Sequence, residues 1–292
     1  MDVSIIIVNF NTDELTLQAV ESVFAFAKNI VFEIIVVDNN SAKTNLKQFL
    51  ASFKNVKFVE LDKNIGFGNA NNFGYELSKG KYIFLLNSDA YLIDDSLTEL
   101  FNFMEDIVNV EVACCSPNLI DANGNPNLCY GNFLSKDKIL LDLGLKKINS
   151  IVNIDKLAIS KSCDLNTNTA VDYLSGAAIL IRKSVIEKHG LFNPKYFMYY
   201  EDMDLCFKYH CQGFKSILMP DLKIVHVGGQ SWTKNEFGTF KSLQIILYSK
   251  YLFSKNIISK PLAIVFYVIG YIQSLFNYTK RVTNKIILVL MK

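Results

Sequence analysis

Asn87, Ser88 and Asp89 directly follow the apolar run YIFLL, a pattern typical of a buried strand that ends on a carboxylate. Two interpretations are open. Asn, Ser and Asp are favoured in turns because their side chains bond nearby backbone groups. A carboxylate beyond the carboxyl end of a strand can also help to bind a metal ion and a nucleotide, since this is where open α/β sheets bind ligands.

Two other apolar runs end in the same way. Residues 9–11 (NFN) follow VSIIIV, and residues 38–41 (DNNS) follow FEIIVV. Neighbouring parallel strands place their carboxyl ends on one edge of a sheet, where ligands bind. Three polar strand ends therefore predict a binding site at that edge rather than three isolated turns.

A second group of carboxylates lies in the segment YYEDMDLC, which contains Glu201, Asp202 and Asp204. Acids in the first turn of a helix interact favourably with its dipole, typically by ~0.3–1 kcal/mol. Three acids within four residues exceed what a helix start requires. Clustered carboxylates raise one another's pKa, which suits a general base. Asp204 is expected to anchor the helix, or a neighbouring Arg or Lys, rather than to act in catalysis.

The elements that would position these groups alternate between strand and helix. Strands are predicted at 3–11, 32–38, 56–62, 81–90 and in a segment ending at His226, with helices at 13–27, 45–53, after the Gly/Asn-rich loop that begins at 64, and at 199–213. Residues 171–190 predict a further strand and a short helix, whereas residues 117–170 show mainly turn chemistry. We expect this middle stretch to cover the sheet or to form a loop near an acceptor. The alternation predicts a wound, mostly parallel α/β sheet flanked by helices.

Several other site types are excluded or disfavoured by spacing. Gly66, Gly68 and Gly74 give GxGx5G rather than the dinucleotide pattern GxGxxG, and neither a P-loop nor a GxSxG elbow is present. The six cysteines form no CxxC pair, so we expect reduced, mostly structural thiols. The asparagines of the 64–72 loop can recognise a ribose or a base because amides both donate and accept, although loop capping explains each of them equally well.

The order of six motifs resembles that of family 2 glycosyltransferases: SIIIVNFN, IIVVDNNSA, NIGFGNANNFG, LLNSDA, SGAAILIRK and YYEDMDLCFK. The resemblance covers about residues 3–230 and is closest to the bacterial rhamnosyltransferase-like and galactofuranosyltransferase-like branch. It implies the GT-A fold, an inverting reaction and a nucleotide-sugar donor.

The resemblance also implies roles for particular residues. Asp89 would ligate Mg2+ or Mn2+. Asn87, which stands where the family has the first acid of D-x-D, would contact the ribose of the nucleotide. Asp38 would accept the imide N–H of uracil or thymine, which selects a UDP- or dTDP-sugar. Asp202 matches the family's general base. His226 would be a second metal ligand, and a structural role is the alternative for it. Gly176 would lie beside the donor sugar. The residues around the nucleotide would be Phe10, Asn11, Asn64, Asn69, Asn72 and Ser88.

The end of the chain differs from the rest in charge. No acidic residue follows Glu236, whereas eight basic residues do, and residues 261–276 form an uncharged, largely apolar run. A membrane-spanning helix usually needs ~20 residues. Basic residues on both sides favour a helix that lies on an anionic membrane surface, with a helix packed on the domain as the alternative. We predict a GT-A domain at 1–236 and a C-terminal helical tail at 237–292.

The sequence therefore predicts a metal-dependent, inverting glycosyltransferase that uses a UDP- or dTDP-sugar and a glycan acceptor, expected to be lipid-linked, with no nucleic-acid partner. No secretory signal is visible at the start of the sequence, so we expect a cytoplasmic protein on the inner face of the cell membrane. Two alternatives stay open. A sugar-1-phosphate nucleotidyltransferase would need a Gly-rich, Arg-containing first loop, which VNFNTDELT lacks. A membrane-tethered protein that binds sugar nucleotides or glycans without catalysis fits the same outline.

Overall fold

A computed structural model describes residues 1–142, 167–228 and 239–290, with the side chains of 140–142, 239, 277 and 279–290 excluded. Residues 1–133, 167–197 and 201–228 form one compact unit, and residues 134–142, 198–200 and 239–290 form a second. The predicted domain boundary between residues 236 and 237 lies outside the described residues.

The described residues contain alternating strands and helices in the first unit and helices in the second. The strands are β1 (Val3–Asn9), β2 (Phe32–Asp38), β3 (Val56–Glu60), β4 (Tyr82–Leu86), β5 (Ala90–Leu92), β6 (Val112–Ile120), β7 (Tyr130–Gly131), β8 (Thr169–Val171), β9 (Tyr173–Leu174), β10 (Ala178–Arg182) and β11 (Lys215–His226). The helices are α1 (Asp13–Phe26), α2 (Leu46–Leu50), α3 (Phe67–Glu76), α4 (Ser96–Glu105), α5 (Lys136–Asp142), α6 (Lys183–His189), α7 (Glu201–His210), α8 (Thr239–Ser254) and α9 (Lys260–Leu290), with a short 3-10 turn at Ile107–Asn109.

The central sheet has the strand order β3-β2-β1-β4-β10-β6-β11-β5, and β8 pairs with β11 at the side. The pairs β2–β3, β1–β2, β1–β4 and β6–β11 are parallel, whereas β10 runs antiparallel to β4 and to β6. The predicted mostly parallel α/β sheet is confirmed. The apolar runs of β1, β2 and β4 are buried almost throughout because the sheet is covered on both faces.

The carboxyl ends of β1, β2 and β4 lie side by side on one edge of the sheet. Asn9 pairs directly with Asp38 in the β1–β2 register, and the turn 87–89 follows β4. The chain enters antiparallel β10 at the same edge, where the Asn87 N–H donates to the Ala177 carbonyl (2.8 Å). This edge, which we call the rim, therefore contains the three polar strand ends that the sequence predicted.

Strand β5 brings a distant part of the chain to the rim. It begins directly after the 87–89 turn and pairs antiparallel with the last residues of β11, so that Ala90 lies opposite His226. The Val227 N–H also donates to the Asp89 carbonyl (2.9 Å). His226 is thus adjacent to the turn that follows β4, although β10 and β6 lie between β4 and β11 in the sheet.

Strand β6 was not predicted as an element. Its sequence VACCSPNLI lacks the strict alternation of a half-buried strand, and Pro117 interrupts it. The structure accommodates Pro117 where the pairing with β11 shifts register, between Met219 and Lys223. Only the end of this strand falls in the predicted 117–170 excursion, and residues 143–166 of that stretch are outside the described residues.

Other predicted elements are present with shorter bounds. The strands predicted to reach residues 11, 62 and 90 end at Asn9, Glu60 and Leu86, because the polar residues after them turn away from the sheet. Helix α7 ends at His210 and is followed by a turn in which Gly213 adopts φ +86°, so Gly213 closes the segment as expected.

Helices α8 and α9 pack against each other in the second unit. Helix α9 includes the apolar run 261–276 and extends 31 residues in all. Among the described residues, none of the helices combines the length and the hydropathy that a membrane crossing needs.

Candidate active site

Asn9 and Asp38 form the centre of the rim. The Asn9 Nδ2 group donates to Asp38 Oδ1 (2.6 Å), and Asp38 also accepts from the Ser41 hydroxyl (2.6 Å) and from the Ser41 N–H (2.9 Å). Asp38 is 2% exposed. Since a carboxylate offers about four acceptor positions, these contacts fix its orientation and leave acceptor capacity on the group.

The turn after β4 carries the predicted metal ligand. Asp89 Oδ1 lies 3.3 Å from His226 Nε2, and the same ring nitrogen lies 3.4 Å from Asn87 Nδ2. The structure therefore brings together Asp89 and His226, the two residues for which a metal role was predicted, next to Asn87. The cause is the β5–β11 pairing.

The donor set fits a divalent metal ion only in part. A carboxylate oxygen and an imidazole nitrogen face each other, and the buried Asn87 Oδ1 and His226 Nδ1 have no hydrogen-bond partner among the described residues. No cluster of three or more His, Cys, Asp or Glu side chains suited to a metal occurs in the part of the chain that the structure describes. Hard divalent ions take about six ligands, so two protein ligands would leave the other positions to a bound diphosphate and water.

Asp202 lies in the first turn of α7, beside the segment that enters β10. Its Oδ1 accepts from the Met203 N–H (2.8 Å), and its Oδ2 accepts from the Gly176 N–H (3.3 Å). Gly176 immediately precedes Ala177, which bonds the start of the 87–89 turn. The bond from Gly176 to Asp202 and the bond from Asn87 to Ala177 therefore connect the candidate base to the rim.

Gly176 is in close contact with its surroundings. A Cβ atom there would lie 3.3 Å from the Phe67 ring and 3.8 Å from Asp202 Cβ. A larger residue would therefore press on the Phe67 ring and on the neighbourhood of Asp202. The structure places Gly176 beside the candidate base.

The carboxylates of α7 have distinct environments. Burial raises the pKa of Asp202, while backbone N–H groups oppose that shift. Burial and the nearby Asp202 charge raise the pKa of Glu201, whose Oε2 has no hydrogen-bond partner among the described residues. Asp204 accepts from the Tyr196 hydroxyl (3.1 Å). That contact agrees with the expected anchoring role, although the partner is a tyrosine rather than Arg or Lys.

The loop before α3 lies against the segment that leads to α7. Gly66 adopts φ +86°, and a Cβ there would lie 2.1 Å from the Phe197 carbonyl oxygen. The Phe67 N–H donates to that same oxygen (3.0 Å). Only glycine allows this approach, so the GFG segment holds the neighbourhood of α7 close to α3.

The loop asparagines have contacts within the protein. Asn64 Oδ1 accepts from the Gly66 N–H (2.9 Å), and Asn69 Nδ2 donates to the Ile65 carbonyl (3.0 Å). Asn72 makes two bonds to the Phe192 backbone, each 2.9 Å. These contacts are those of the loop-capping alternative, and a nucleotide role for these three side chains stays a prediction.

The residues after β1 lie at the same edge. Phe10 is half-buried, and Asn11 is exposed with φ +56°. The Asn11 N–H donates to Ser41 Oγ, and Asn11 Oδ1 accepts from the Ala42 N–H, both at 2.8 Å. The first and second strand ends are thereby tied together.

Sequence reasoning did not assign a role to Asn9, Thr12 or Ser41. The structure shows Asn9 between Asp38 and Thr12, whose hydroxyl oxygen lies 3.0 Å from Ser88 Oγ. The signal for Asn9 was its polarity at the last position of a buried strand. No local pattern indicated that Thr12 would reach Ser88, because that contact joins residues 76 apart in sequence.

The rim offers a coherent set of chemical groups. A buried carboxylate at Asp38, a carboxylate–imidazole pair at Asp89 and His226, and a half-buried carboxylate at Asp202 all belong to one compact unit. Such a set can bind a polar, charged ligand along the edge and accept a proton from a second reactant.

Comparison with known proteins supports this interpretation. The family model described as "Glycosyl transferase family 2" matches residues 4–190, which is more than half of the chain. The matched region includes the rim from β1 to β10 and ends before Asp202 and His226.

Two curated proteins are similar over most of their lengths. The low-salt glycan biosynthesis hexosyltransferase Agl10 of Haloferax volcanii is 22% identical over 265 residues, which covers 89% of this chain and 78% of that protein. Rhamnosyltransferase WbbL of Escherichia coli is 26% identical over 239 residues, which covers 77% of this chain and 83% of that protein.

A solved structure shows the same fold. The crystal structure of GalNAc-T7 with UDP, GalNAc and Mn2+ superposes with a TM-score of 0.63 at 15% identity. The alignment covers 87% of this chain and 48% of that chain, so this protein spans about half the length of that structure. The similarity confirms the predicted GT-A fold.

Proposed function

Because the chain belongs to glycosyl transferase family 2, we propose that it transfers a sugar from a UDP- or dTDP-sugar to a glycan acceptor in one inverting displacement. The observation that carries the proposal is the position of Asp202, whose carboxylate contacts Gly176 one residue before the segment bonded to the 87–89 turn. The similarity to a hexosyltransferase and a rhamnosyltransferase supports a hexose or deoxyhexose as the sugar.

Asp202 is the proposed general base. In an inverting transfer the acceptor hydroxyl attacks the anomeric carbon as the nucleoside diphosphate leaves, and the hydroxyl proton must go to a nearby group. Burial raises the pKa of Asp202, which makes its carboxylate a better proton acceptor than an exposed aspartate. Its bonds to Met203 and Gly176 hold both oxygens in position.

Asp38 is the proposed base-recognition residue. Its carboxylate is oriented by Asn9 and Ser41 and retains acceptor capacity for the imide N–H of uracil or thymine. Cytosine carries an acceptor at that position and would be rejected. Phe10, Asn11 and the asparagines of the 64–72 loop are the proposed surroundings of the base and ribose, and Ser88 and Gly176 those of the diphosphate and sugar.

Asp89 and His226 are the proposed ligands of Mg2+ or Mn2+, with Asn87 next to them. A divalent ion bound there would offset charge on the departing diphosphate. Since two protein ligands do not complete a coordination shell, we propose that the ion binds together with the nucleotide rather than before it.

The acceptor is proposed to be lipid-linked, with the protein on the inner face of the cell membrane. Helix α9 exposes a stripe of apolar side chains, whereas its Ala263 and Phe266 are buried. The exposed residues recur at helical spacing and are Leu262, Ile264, Val265, Val268, Ile272, Leu275 and Phe276. The sequence then continues with Lys280, Arg281 and Lys285, which complement an anionic surface. A lipid-linked glycan is found at such a surface.

The two alternative functions have less support. The family match argues against a sugar-1-phosphate nucleotidyltransferase, and a protein that only binds glycans has no need of a half-buried carboxylate with a raised pKa at the rim.

The test of this function is a transfer assay on Asp202→Asn. We expect turnover to fall by about 10²–10⁴-fold because the proton acceptor is lost, while binding of the nucleotide-sugar, measured by calorimetry, is retained. Asp204→Asn is the matched control, since it removes a carboxylate in the same helical turn that contacts Tyr196 instead of the rim.

In the control, turnover should remain within about threefold of the parent protein, the effect of a modest structural change. Near-normal turnover in Asp202→Asn would refute the assignment of the base. Failure of the parent protein to bind any UDP- or dTDP-sugar, with Mn2+ present, would refute the proposed function as a whole.

A further inference from the structure

The side-chain amide of Asn9 is buried at the rim, and both of its ends are bonded. Its Nδ2 group lies 2.6 Å from Asp38 Oδ1, and its Oδ1 atom accepts from the Thr12 hydroxyl (3.0 Å) and the Thr16 hydroxyl (2.8 Å). Asn9 is 0% exposed. An amide in this position fixes the groups on its two sides relative to each other, because its nitrogen donates on one side and its oxygen accepts on the other.

Thr12 occupies the residue before α1, where a threonine side chain usually caps the helix by accepting a backbone N–H. Its side chain makes no such bond. Instead, the Thr12 hydroxyl oxygen lies 3.0 Å from Asn9 Oδ1 and 3.0 Å from Ser88 Oγ. The hydroxyl thus joins the strand end of β1 to the turn after β4.

These contacts form one connected series between the turn and Asp38. The Thr12 hydroxyl lies within hydrogen-bond distance of both Ser88 Oγ and Asn9 Oδ1, and the Asn9 amide donates to the Asp38 carboxylate. Hydrogen bonds that are connected in this way can strengthen one another.

We propose that Asn9 and Thr12 are positioning residues that hold the 87–89 turn at a fixed place relative to Asp38. This inference rests on the proposed function, in which the base of the nucleotide lies at Asp38 and its diphosphate at the turn. A nucleoside diphosphate must meet both ends at once, so the distance between them determines how well it binds. Neither Asn9 nor Thr12 needs to touch the ligand.

The inference makes a specific distinction between two threonines. Thr12 and Thr16 are both buried and both donate to Asn9 Oδ1, but among the bonds described for them only that of Thr12 extends to Ser88. Replacing either with valine keeps the side-chain shape and removes one hydrogen bond to Asn9 Oδ1. Thr12→Val also removes the contact with Ser88, which links the turn to Asn9 and Asp38.

The experiment compares Thr12→Val, Thr16→Val and Thr12→Ser in the full chain. Calorimetry measures the affinities for UDP and for uridine with Mn2+ present, and those for dTDP and thymidine if the parent protein prefers them. The affinity for the nucleoside depends on contacts at Asp38 alone. The affinity for the nucleoside diphosphate depends on contacts both at Asp38 and at the 87–89 turn. Thermal denaturation of each variant measures stability.

We expect Thr12→Val to weaken UDP binding by about 5- to 10-fold, the usual effect of one buried hydrogen bond, and to change uridine binding by less than about twofold. Thr16→Val should change neither affinity by more than about twofold, although it also loses the stability that one buried hydrogen bond contributes. Thr12→Ser, which keeps the hydroxyl, should bind UDP like the parent protein.

Two results would overturn the inference. Equal UDP affinities in the two valine variants would show that the bond to Ser88 does not position the turn, and a parallel loss of UDP and uridine affinity would indicate a general structural defect. If the parent protein binds neither UDP nor dTDP, the proposed function fails first, and this inference fails with it.

Discussion

At the scale of single residues, the three carboxylates at the start of α7 have different environments. Asp202 is held by two backbone N–H groups, Asp204 accepts from Tyr196, and Glu201 is buried with an oxygen that has no partner among the described residues. The sequence predicted the cluster and raised pKa values within it, and the pKa values of Glu201 and Asp202 are raised mainly by burial. The sequence could not assign the three environments, because those depend on which segments pack against the helix.

Glu201 should lower the stability of the protein at neutral pH. A carboxyl group whose pKa is raised on folding holds its proton more strongly in the folded state, so folding becomes less favourable as pH rises above the ordinary glutamate pKa of about 4.3. We expect Glu201→Gln to raise the melting temperature at pH 7 by about 2–4 °C, equivalent to about 1 kcal/mol, and to give no gain at pH 4.

Glu21→Gln is the control for this prediction, since Glu21 is exposed on α1 and should change the melting temperature at neither pH. A lower melting temperature of Glu201→Gln at pH 7 would mean that the ionised carboxylate is stabilised in the folded protein.

At the scale of elements, the sequence predicted the strands whose apolar runs end abruptly in polar residues. Strands β1, β2 and β4 have this pattern, and their shared edge followed from the parallel arrangement. Strand β6 was not predicted because Pro117 and the three small residues before it, Cys114, Cys115 and Ser116, interrupt the apolar pattern of a strand. The β5–β11 pairing was also beyond local reasoning, since β5 has three residues and its partner is remote in sequence.

The close approach of the α3 loop to the segment before α7 gives a prediction at this scale. Gly66→Ala would place a Cβ 2.1 Å from the Phe197 carbonyl oxygen and would also strain the backbone at φ +86°. We expect it to lower the free energy of unfolding by more than the ~1–2 kcal/mol of the left-handed backbone alone, and to lower turnover because the neighbourhood of Asp202 shifts.

Gly124→Ala separates these two causes. Gly124 adopts a similar φ of +83°, but a Cβ there meets nothing within 4 Å. Urea denaturation should therefore show a smaller loss for Gly124→Ala than for Gly66→Ala, with turnover retained. Equal losses at the two positions would mean that the contact with Phe197 relaxes without cost.

At the scale of the whole molecule, the C-terminal part of the chain combines an excess of positive charge with exposed apolar surface on α9. The last 56 positions contain no acidic residue, and α9 exposes an apolar stripe in which Ile272 and Phe276 are 59% and 68% exposed. Exposed stripes of this kind are uncommon on monomeric proteins unless something covers them. The sequence predicted an apolar helix here, and the structure added which side of it faces outward.

We predict that this stripe binds anionic membranes. The full chain should sediment with phosphatidylglycerol-containing vesicles more than with purely zwitterionic ones, and binding should weaken as salt rises, since the Debye length falls from ~10 Å at 0.1 M to ~3 Å at 1 M. The double variant Ile272→Asp with Phe276→Asp should lose vesicle binding while keeping transfer to a water-soluble acceptor.

Ile107→Asp is the control, because Ile107 is an aliphatic side chain in the short turn after α4 and, at 79%, is more exposed than Ile272 or Phe276. It should leave vesicle binding unchanged. If the double variant instead converts a dimer into a monomer and vesicle binding is absent throughout, the stripe is covered by a second copy of the chain and the membrane proposal is wrong.

The pairing of β5 with β11 has a consequence for the order of events during synthesis. Asn87 and His226 are 139 residues apart in sequence, so the edge that holds Asp89 beside His226 cannot assemble until β11 has left the ribosome. The β1–β2–β4 layer can form much earlier from nearby segments. Under the proposed function, a nascent chain would therefore form the end of the site that contacts the nucleobase before the end that contacts the diphosphate.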